Sequence, residues 1–350
     1  MDATASYSGG RGDTMNGATL RYLSRADIAA LGGEHSDLYM RAVEDGFRSH
    51  AAGDFVQPLK PYLRSPRARH IADRIIAMPA WIGGERPVAG LKWIGSKHDN
   101  PAKRGMERAS AVIVLNDPET NYPMAIMEGG LLSAMRTAAV TGVATQHLAR
   151  KGFDEAAIIG CGPIAERQAQ MLLEQFAKVR TLRLFDLREE ASEALSARLR
   201  QRFADLRVII AKSAEAAVRD CPVVITCTVT DTPYLAFDWL ARGAFLANVS
   251  IMDVERDVFL KVDKVVVDDW DQSNREKKII NLLVEAGEFS RERLHAELGE
   301  IIVGDKPGRE TDDEIILLNP MGMAIDDIAC AKAILHRAED RGIGTVLPLF

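Results

Sequence analysis

The spacing of hydrophobic positions divides the chain into two halves with different periods. In the first half, an amphipathic stretch with apolar Leu38, Val43 and Phe47 predicts a helix, and four short apolar runs follow it: RIIAMPAWI, AGLKWIG, ASAVIVLND and PMAIME. Short apolar runs separated by Gly and Pro predict a mixed or antiparallel sheet. The proline-free run LLSAMRTAAVTGVATQHLAR then predicts a long helix that connects the two halves.

From residue 156 onward, apolar runs alternate with helical segments. The order is AAIIG, AERQAQMLLEQF, TLRLFD, REEASEALSARLRQRF and VVITCTV. This alternation predicts a doubly wound parallel sheet, which the runs AFLANVS and KVVVDD continue. The last segment, GMAIDDIACAKAILHRAED, predicts a C-terminal helix.

The first strand-to-helix junction of the second half carries the spacing G-x-G-x-x-A. Gly160 permits a tight turn, Gly162 lets the backbone approach a pyrophosphate, and Ala165 lets the helix pack on the strand. Asp186 ends the next predicted strand, where a carboxylate binds the adenosine ribose and favours NAD over NADP. Arg188 could instead contact a 2′-phosphate. The pattern predicts a dinucleotide site with NAD as the cofactor.

These patterns predict an α/β chain with two domains. One is a Rossmann dinucleotide-binding domain over residues 150–321. The other is an α+β substrate-binding and dimerisation domain over 17–149 and 322–350. Residues 1–16 are small, polar and rich in glycine, so we expect a disordered leader there.

Composition narrows the classes of protein and partner. The chain has a net charge of −6, and its four cysteines show no metal-ligand spacing, which argues against nucleic acid as a partner, a metal site and a disulfide scaffold. It contains no apolar run of about 18 residues that could cross a membrane. We therefore expect a cytoplasmic protein without a metal, a membrane or a nucleic acid as partner.

The average charge conceals a basic segment. Residues 60–108 contain eleven basic and four acidic side chains, a net of +7, so the rest of the chain carries −13. Within or near it, Arg74, Lys92 and Arg136 are flanked by apolar residues. Each is either a paired or snorkelling side chain or part of a carboxylate-binding site, for which Arg is well suited.

Two further charged runs have open interpretations. The run 275–278 is expected to form a solvated surface. Asp326 and Asp327 lie early in the last predicted helix, where they contact the region near the cofactor or stabilise the helix through its dipole.

Several blocks in the same order resemble the ornithine cyclodeaminase/mu-crystallin family, from about Leu23 to the C-terminus. They are RIIAMPA, GLKWI, AVIVLND, LLSAMRTAAVTGVA, IIGCGPIA, ANVSIMD and VVVDDWDQ. QPLKPYLR, DRIIAMPA, GLKWI and DQSNREKK are most similar to a siderophore-pathway branch of that family. The resemblance implies NAD-dependent oxidative cleavage of a glutamate conjugate to 2,3-diaminopropionate, 2-oxoglutarate and NADH, with a small anionic amino acid as substrate, and a homodimer.

The resemblance also implies roles for individual residues. Lys92 would lie near the reacting carbon, and Asp253 would bind the substrate amino group or activate water. Arg136 would bind a carboxylate, and so would Arg74, with Lys60 and Arg64 as competitors. The basic Arg108 replaces a small polar residue of many relatives and suits a substrate with more carboxylates. The implied cofactor contacts are Gly160, Gly162, Pro163, Ile164, Ala165, Asp186, Arg188, Thr228, Val249 and Ser250.

Two alternative activities remain open. One is ornithine cyclodeamination or an alanine-type dehydrogenation, although Ile251 and Met252 replace the usual glycines and the C-terminal D-S-x-G block has become residues 319–322. The other is a non-catalytic NAD(P)H-binding protein of the mu-crystallin kind. Retention of Lys92, Arg136 and Asp253 favours an enzyme.

Overall fold

Two sheets organise the chain. The computed structural model describes residues 18–68, 70, 72–250, 252–275 and 278–350, so the leader predicted over residues 1–16 lies outside the described residues. In chain order the strands are β1 (Thr19–Leu23), β2 (Phe55–Val56), β3 (Tyr62–Leu63), β4 (Arg74–Ile82), β5 (Val88–Ser96), β6 (Ala109–Asn116), β7 (Pro123–Glu128), β8 (Glu155–Ile159), β9 (Thr181–Phe185), β10 (Arg207–Ile210), β11 (Val223–Thr226), β12 (Phe245–Asn248), β13 (Lys264–Val267), β14 (Ala296–Glu297), β15 (Ile316–Leu318) and β16 (Thr345–Pro348).

The helices lie on the faces of these sheets and between them. In chain order they are α1 (Arg25–Ala30), α2 (Ser36–Ala51), α3 (Asn100–Arg104), α4 (Gly130–Leu148), α5 (Pro163–Gln175), α6 (Glu189–Arg202), α7 (Ala214–Val218), α8 (Arg256–Lys261), α9 (Trp270–Ser273), α10 (Ile279–Glu285), α11 (Leu298–Val303) and α12 (Ala324–Arg341). Helix α1 begins directly after Ser24, which forms a reciprocal capping box with Asp27. No helix of the described residues is long and apolar enough to cross a membrane.

The first sheet is mixed, as predicted. Its order is β16-β1-β7-β6-β5-β4-β2, and β3 also pairs with β4. Strands β1 and β7 are parallel, whereas the other pairs are antiparallel. Strand β16 at one edge of this sheet and its neighbour β1 were not predicted from sequence. Each is short, and β16 is exposed along its whole length, so neither shows a buried apolar pattern.

The second sheet is parallel throughout, with the order β10-β9-β8-β11-β12-β15-β13-β14. This confirms the predicted doubly wound α/β arrangement. The carboxyl ends of β8, β11, β12 and β15 meet at one edge, where ligands bind in sheets of this kind.

Two helices join the layers. Helix α4 is buried along most of its length and contacts α2, α5 and α12, which explains why its sequence is apolar on nearly all sides. Helix α12 returns to the first sheet and packs on β4, β5 and β6. The first sheet therefore takes its strands from residues 19–128 and 345–348, and the second from 155–318. These limits parallel the predicted domain boundaries, which stay a prediction.

Candidate active site

Lys92 lies in the middle of β5 on the face that α12 covers. It pairs in register with Met78 on one side and Ile113 on the other, so apolar neighbours surround its stem. Only 1% of the residue is exposed. Its Nζ donates to Ser133 Oγ at 3.1 Å and lies 2.6 Å from Asp327 Oδ2. A buried ammonium group in this position is thus paired with a carboxylate from another part of the chain.

Arg136 reaches the same carboxylate from α4. Its Nε donates to Asp327 Oδ1 at 2.9 Å, and its NH1 lies 3.8 Å from Asp326 Oδ2. Both aspartates are fully buried. Asp326 Oδ2 also accepts the backbone N–H of Met323 at 3.2 Å, at the start of α12. Asp327 therefore bridges the two cations, while Asp326 caps the helix and lies beside the guanidinium.

Burial brings two ionisable groups of this cluster close to neutral pH. Burial first, and then the charge of Arg136, lower the pKa of Lys92 to about 7, although Asp327 acts in the opposite direction. Burial raises the pKa of Asp326 to about 7, against the charge of Arg136. Burial is therefore the larger cause of the lowered pKa of Lys92, and the neighbouring cation Arg136 acts in the same direction. Lys92 can accept a proton near neutral pH.

Lys60 anchors the loop 319–323 that precedes α12. Its Nζ donates to the carbonyl oxygens of Met321 at 3.0 Å and Gly322 at 2.7 Å. Asp268 accepts the backbone N–H groups of the same two residues. Burial lowers the pKa of Lys60 to about 8. The structure therefore directs this ammonium group to backbone carbonyls.

Gly322 lies against the end of the Arg136 side chain. Its φ is +72°, a conformation that favours glycine, and a Cβ atom there would lie 2.5 Å from Arg136 NH1. The absence of a side chain thus leaves room for the NH1 and NH2 edge of the guanidinium.

Arg74 shares the Lys92 face of the sheet, because it pairs with Ser96, four residues from Lys92 along β5. Its guanidinium carbon lies 5.2 Å from the centre of the Tyr62 ring. Arg64 and Arg275 approach the same ring at 5.0 and 5.5 Å. The structure thus gathers three guanidinium groups around one aromatic ring.

The expectation of a solvated surface over 275–278 is wrong for the two described residues of that run. Arg275 is partly buried and donates to the carbonyl oxygen of Lys60 at 3.2 Å, and Lys278 is only 4% exposed. Four consecutive charged residues usually indicate an exposed segment, but the fold buries Lys278 and partly buries Arg275.

Arg108 lies at the same end of the sheet as Arg74. It directly precedes β6, whose Ala109 pairs with Ser96 of β5. The side chain is partly buried, and it forms no hydrogen bond or ion pair within the part of the chain that the structure describes. Burial alone lowers its pKa. A desolvated guanidinium without a counter-charge is suited to bind an anion.

Asp253 belongs to a different group of side chains from Lys92. Its carboxylate accepts the hydroxyls of Thr228 and Ser250, and burial raises its pKa. The structure therefore does not place the two predicted catalytic residues in contact. A hydrogen-bonded chain runs from Ser250 through Thr226 and Asn248 to Asn319, which begins the loop beside Arg136.

The predicted dinucleotide loop has the required geometry. Gly160 has φ +87°, and a Cβ atom there would lie 2.9 Å from backbone atoms of Cys227 and Thr228. A Cβ atom at Gly162 would meet nothing within 4 Å, so the loop leaves open space where a pyrophosphate would lie. Pro163 and Ile164 are the first two residues of α5. Ala165, the third, is fully buried. The helix N-terminus has no side-chain cap.

Asp186 closes this loop from the end of β9. Its carboxylate accepts the backbone N–H of Cys161 at 2.8 Å and that of Arg188 at 2.9 Å. Thr228, Val249 and Ser250 follow β11 and β12 at the same edge of the sheet. The residues present thus fit a dinucleotide, and their individual contacts with it stay a prediction.

Gly162→Ala is expected to weaken NAD binding about tenfold or more without destabilising the fold. The added methyl group meets no protein atom but occupies space that the backbone leaves for phosphate. Thermal unfolding should give an unchanged midpoint without NAD and a smaller rise with NAD. Gly160→Ala is the contrasting variant, since its methyl group would clash with backbone and lower the midpoint directly. Unchanged NAD affinity in Gly162→Ala would contradict the placement of the pyrophosphate.

Sequence reasoning missed several residues of the cluster around Lys92. Asp268, Ser133 and Asn319 received no role, although Asp268 lies in one of the blocks that carry the family resemblance. Asp326 and Asp327 were noticed, but a dipole interaction explained them equally well. The useful signal was two adjacent acids in the first turn of a helix whose residues 324–331 are otherwise small or apolar.

One group of described side chains could hold a metal ion by its composition. It consists of His70, Asp73 and His98, although no metal site was expected from sequence. Asp73 already accepts Lys97 Nζ and both the backbone N–H and the ring of His98. His70 Nδ1 accepts the N–H of Ala72 at 3.1 Å. These bonds satisfy the group without an ion.

The comparisons with known proteins agree with this geometry. The model of the ornithine cyclodeaminase/mu-crystallin family matches residues 25–342. The chain is 58% identical over 330 residues to N-((2S)-2-amino-2-carboxyethyl)-L-glutamate dehydrogenase of Staphylococcus aureus, covering 94% of this chain and 98% of the relative.

Two solved structures have the same fold over nearly the full length. A Thermococcus litoralis Delta(1)-pyrroline-2-carboxylate reductase in complex with NADH and L-proline is 28% identical, with a TM-score of 0.86 over 93% of this chain and 99% of that one. An archaeal alanine dehydrogenase dimer with bound NAD is 32% identical, with a TM-score of 0.84 over 95% of this chain and 100% of that one.

Proposed function

The chain belongs to the ornithine cyclodeaminase/mu-crystallin family, and on that premise we propose that it is an NAD-dependent dehydrogenase of N-(2-amino-2-carboxyethyl)-L-glutamate. The products are 2,3-diaminopropionate, 2-oxoglutarate and NADH, and the first of these feeds a siderophore or a related secondary metabolite. The 58% identity to the staphylococcal dehydrogenase over almost the whole chain carries this proposal. The cluster of cations next to a dinucleotide loop supports it.

The substrate is a secondary amine with three carboxylates, so it needs several cations. Arg108 carries no counter-charge among the described residues, and Arg74 lies at the same end of the sheet. Arg136 keeps its Nε on Asp327, while its NH1 and NH2 donate no hydrogen bond within the described residues. These three guanidinium groups bind the carboxylates and orient the glutamyl Cα–H.

Lys92 and Asp253 act as proton acceptors, and Asp253 also stabilises a positive charge. NAD held at the Gly160 loop would supply the hydride acceptor for the glutamyl Cα–H. Neutral Lys92 takes the proton of the substrate ammonium, so that the amine lone pair can form the C=N bond. Asp253 stabilises the cationic imine and takes a proton from the attacking water. Collapse of the resulting carbinolamine breaks the C–N bond. The balance is one substrate, one NAD⁺ and one water to two products, NADH and one proton.

The direct test supplies purified protein with NAD and the conjugate. We expect NADH absorbance to rise together with equal amounts of 2-oxoglutarate and 2,3-diaminopropionate. Ammonia and proline from ornithine without net NADH would instead identify a cyclodeaminase. Oxidation of NADH with pyruvate and ammonium would identify an alanine dehydrogenase. This alternative is tested because the archaeal alanine dehydrogenase is 32% identical to this chain. NAD binding without turnover of any of these substrates would leave a binding protein.

Arg108→Ala is expected to raise the KM for the conjugate about 10- to 100-fold and to change kcat much less. The variant removes one charge-assisted contact to a carboxylate, worth about 1.5 to 3 kcal/mol. Initial rates over a range of conjugate concentrations measure the effect. Arg104→Ala is a matched control, because Arg104 is exposed and pairs with Asp99 on the surface. An unchanged KM in Arg108→Ala would remove Arg108 from the substrate site.

We also propose that the enzyme is a cytoplasmic homodimer. The face of the first sheet away from α12 exposes large apolar side chains, among them Tyr22, Trp93 and Val112. A second copy would cover this face and protect the edge strands. The four cysteines are unpaired, as in a reducing compartment. Sedimentation equilibrium should give twice the chain mass, and a single-chain mass would exclude the dimer.

A further inference from the structure

The two oxygens of Asp327 serve two different cations. One oxygen lies 2.6 Å from Lys92 Nζ, and the other accepts Arg136 Nε at 2.9 Å. Lys92 has no second acidic contact among the described residues, because its other hydrogen bond goes to Ser133. Since all three charged groups are almost completely buried, loss of the carboxylate would leave two buried cations without their shared counter-charge.

The bridge also determines which part of Arg136 remains available. Asp327 occupies Nε, so the guanidinium is held by one edge. NH1 and NH2 pack against Gly322, and neither donates a hydrogen bond within the described residues, although NH1 lies 3.8 Å from Asp326 Oδ2. A fork held in this way presents two parallel donors, the arrangement that binds a carboxylate bidentately.

We propose that Asp327 is the positioning residue of this site: its carboxylate joins Lys92 and Arg136 into one unit, so that the proton acceptor and the carboxylate-binding edge keep a fixed geometry. This role rests on the function proposed above and adds to it a residue that touches neither substrate nor cofactor. It also explains why an acid lies in the first turns of α12 in a fully buried position, where a dipole interaction alone would not require two cations as partners.

Other charged groups face Lys92 as well, and they set the sign of the expected change. Arg136 on α4 and Lys60 before β3 lower the pKa of Lys92, whereas Asp327 raises it. The thiol of Cys330 on α12 also lies near Lys92, while Asp326 acts on Arg136 and Asp268 acts on Lys60. Removing the charge of Asp327 removes the group that raises the pKa of Lys92 and keeps burial and the two cations, which lower it. The pKa of Lys92 should then fall below its wild-type value of about 7.

The test compares Asp327→Asn with wild type in two measurements. The ¹⁵N chemical shift of Lys92 Nζ, assigned through Lys92→Arg, reports its titration in substrate-free protein. We expect the midpoint to fall by at least about one pH unit. In turnover of the conjugate, the rise of kcat with pH should move to lower pH by the same amount, and kcat on the plateau should fall about 10- to 100-fold from misplacement of the base.

Asp340→Asn is the matched control, since it makes the same chemical change at the exposed end of the same helix. It should change neither readout. Asp327→Glu keeps the charge on a longer stem, so it should retain a Lys92 midpoint near that of wild type and still lose kcat. It also provides the comparison if Asp327→Asn does not fold.

An unchanged Lys92 midpoint in folded Asp327→Asn, or the same shift in Asp327→Glu, would overturn the positioning role. A separate outcome concerns the proposed function. If the midpoint shifts as expected while wild-type protein forms no NADH from the conjugate, the coupling stands and the substrate assignment fails.

Discussion

Replacing Lys92 by Ala is expected to lower NADH formation about 100- to 10,000-fold and to leave NAD binding nearly intact. The variant removes a proton acceptor whose pKa burial and Arg136 lower to about 7. In wild-type protein, kcat should rise with pH through about 7, because only the neutral amine accepts a proton. The residual activity of the variant should lack this rise. Initial rates from pH 6 to 9 and calorimetric titration with NAD measure both effects.

Lys103→Ala is the control for this variant, because Lys103 is an exposed lysine that pairs with Asp99. The fold of Lys92→Ala should survive, since Asp327 keeps its bond to Arg136. Because folding lowers the pKa of Lys92, the unfolded chain binds more protons above pH 7, and this group makes stability increase with pH there. The variant should lose that increase in denaturant unfolding. Retained turnover would exclude Lys92 as the base, and parallel loss of NAD binding would indicate structural damage.

Gly322→Ala is expected to lower kcat/KM for the conjugate about 100-fold. A methyl group at this position would lie 2.5 Å from Arg136 NH1 and 3.1 Å from NH2, so the guanidinium must move away from the carboxylate that it binds. The loss of one or two charge-assisted hydrogen bonds, about 1.5 to 3 kcal/mol each, accounts for the size of the effect. Steady-state kinetics should show the change mainly in KM.

The positive φ of Gly322 adds backbone strain of about 1 to 2 kcal/mol, which must be separated from the clash. Gly342→Ala provides the comparison: its φ is +63° and a Cβ atom there meets nothing within 4 Å. Both variants should unfold at lower temperature, but only Gly322→Ala should lose activity. Equal activity in the two variants would show that the Arg136 edge does not bind substrate.

The basic residues of segment 60–108 have different partners in the folded chain, which their net charge alone does not show. The segment's net charge of +7 suggested a single anion-binding surface, but the fold separates its members. Lys97, Lys103 and Arg104 pair with Asp73 and Asp99 on the surface. Lys60 binds backbone carbonyls, and Lys92 binds Asp327 from outside the segment. Arg108 and Arg74 lie at one end of the first sheet, where we propose that substrate carboxylates bind.

Local features of the protein were determined by the sequence itself. The G-x-G-x-x-A loop and most interior strands follow from neighbours a few residues apart, so spacing and residue type suffice to predict them. The interior strands β1 and β15 were not predicted. The alternation of strand and helix likewise predicts the parallel sheet, because consecutive β-α-β units can pack in few ways.

The site around Lys92 was decided only by the tertiary structure. Arg136 and Asp327 are 191 residues apart in the chain, and they meet because α12 returns to pack on β5 beside α4. Two acids at the start of a helix have the same local pattern whether they face solvent or two buried cations. Burial distinguishes the two arrangements, because a buried cation needs a paired carboxylate and because burial lowers the pKa of Lys92. Burial in turn depends on the packing of the whole chain.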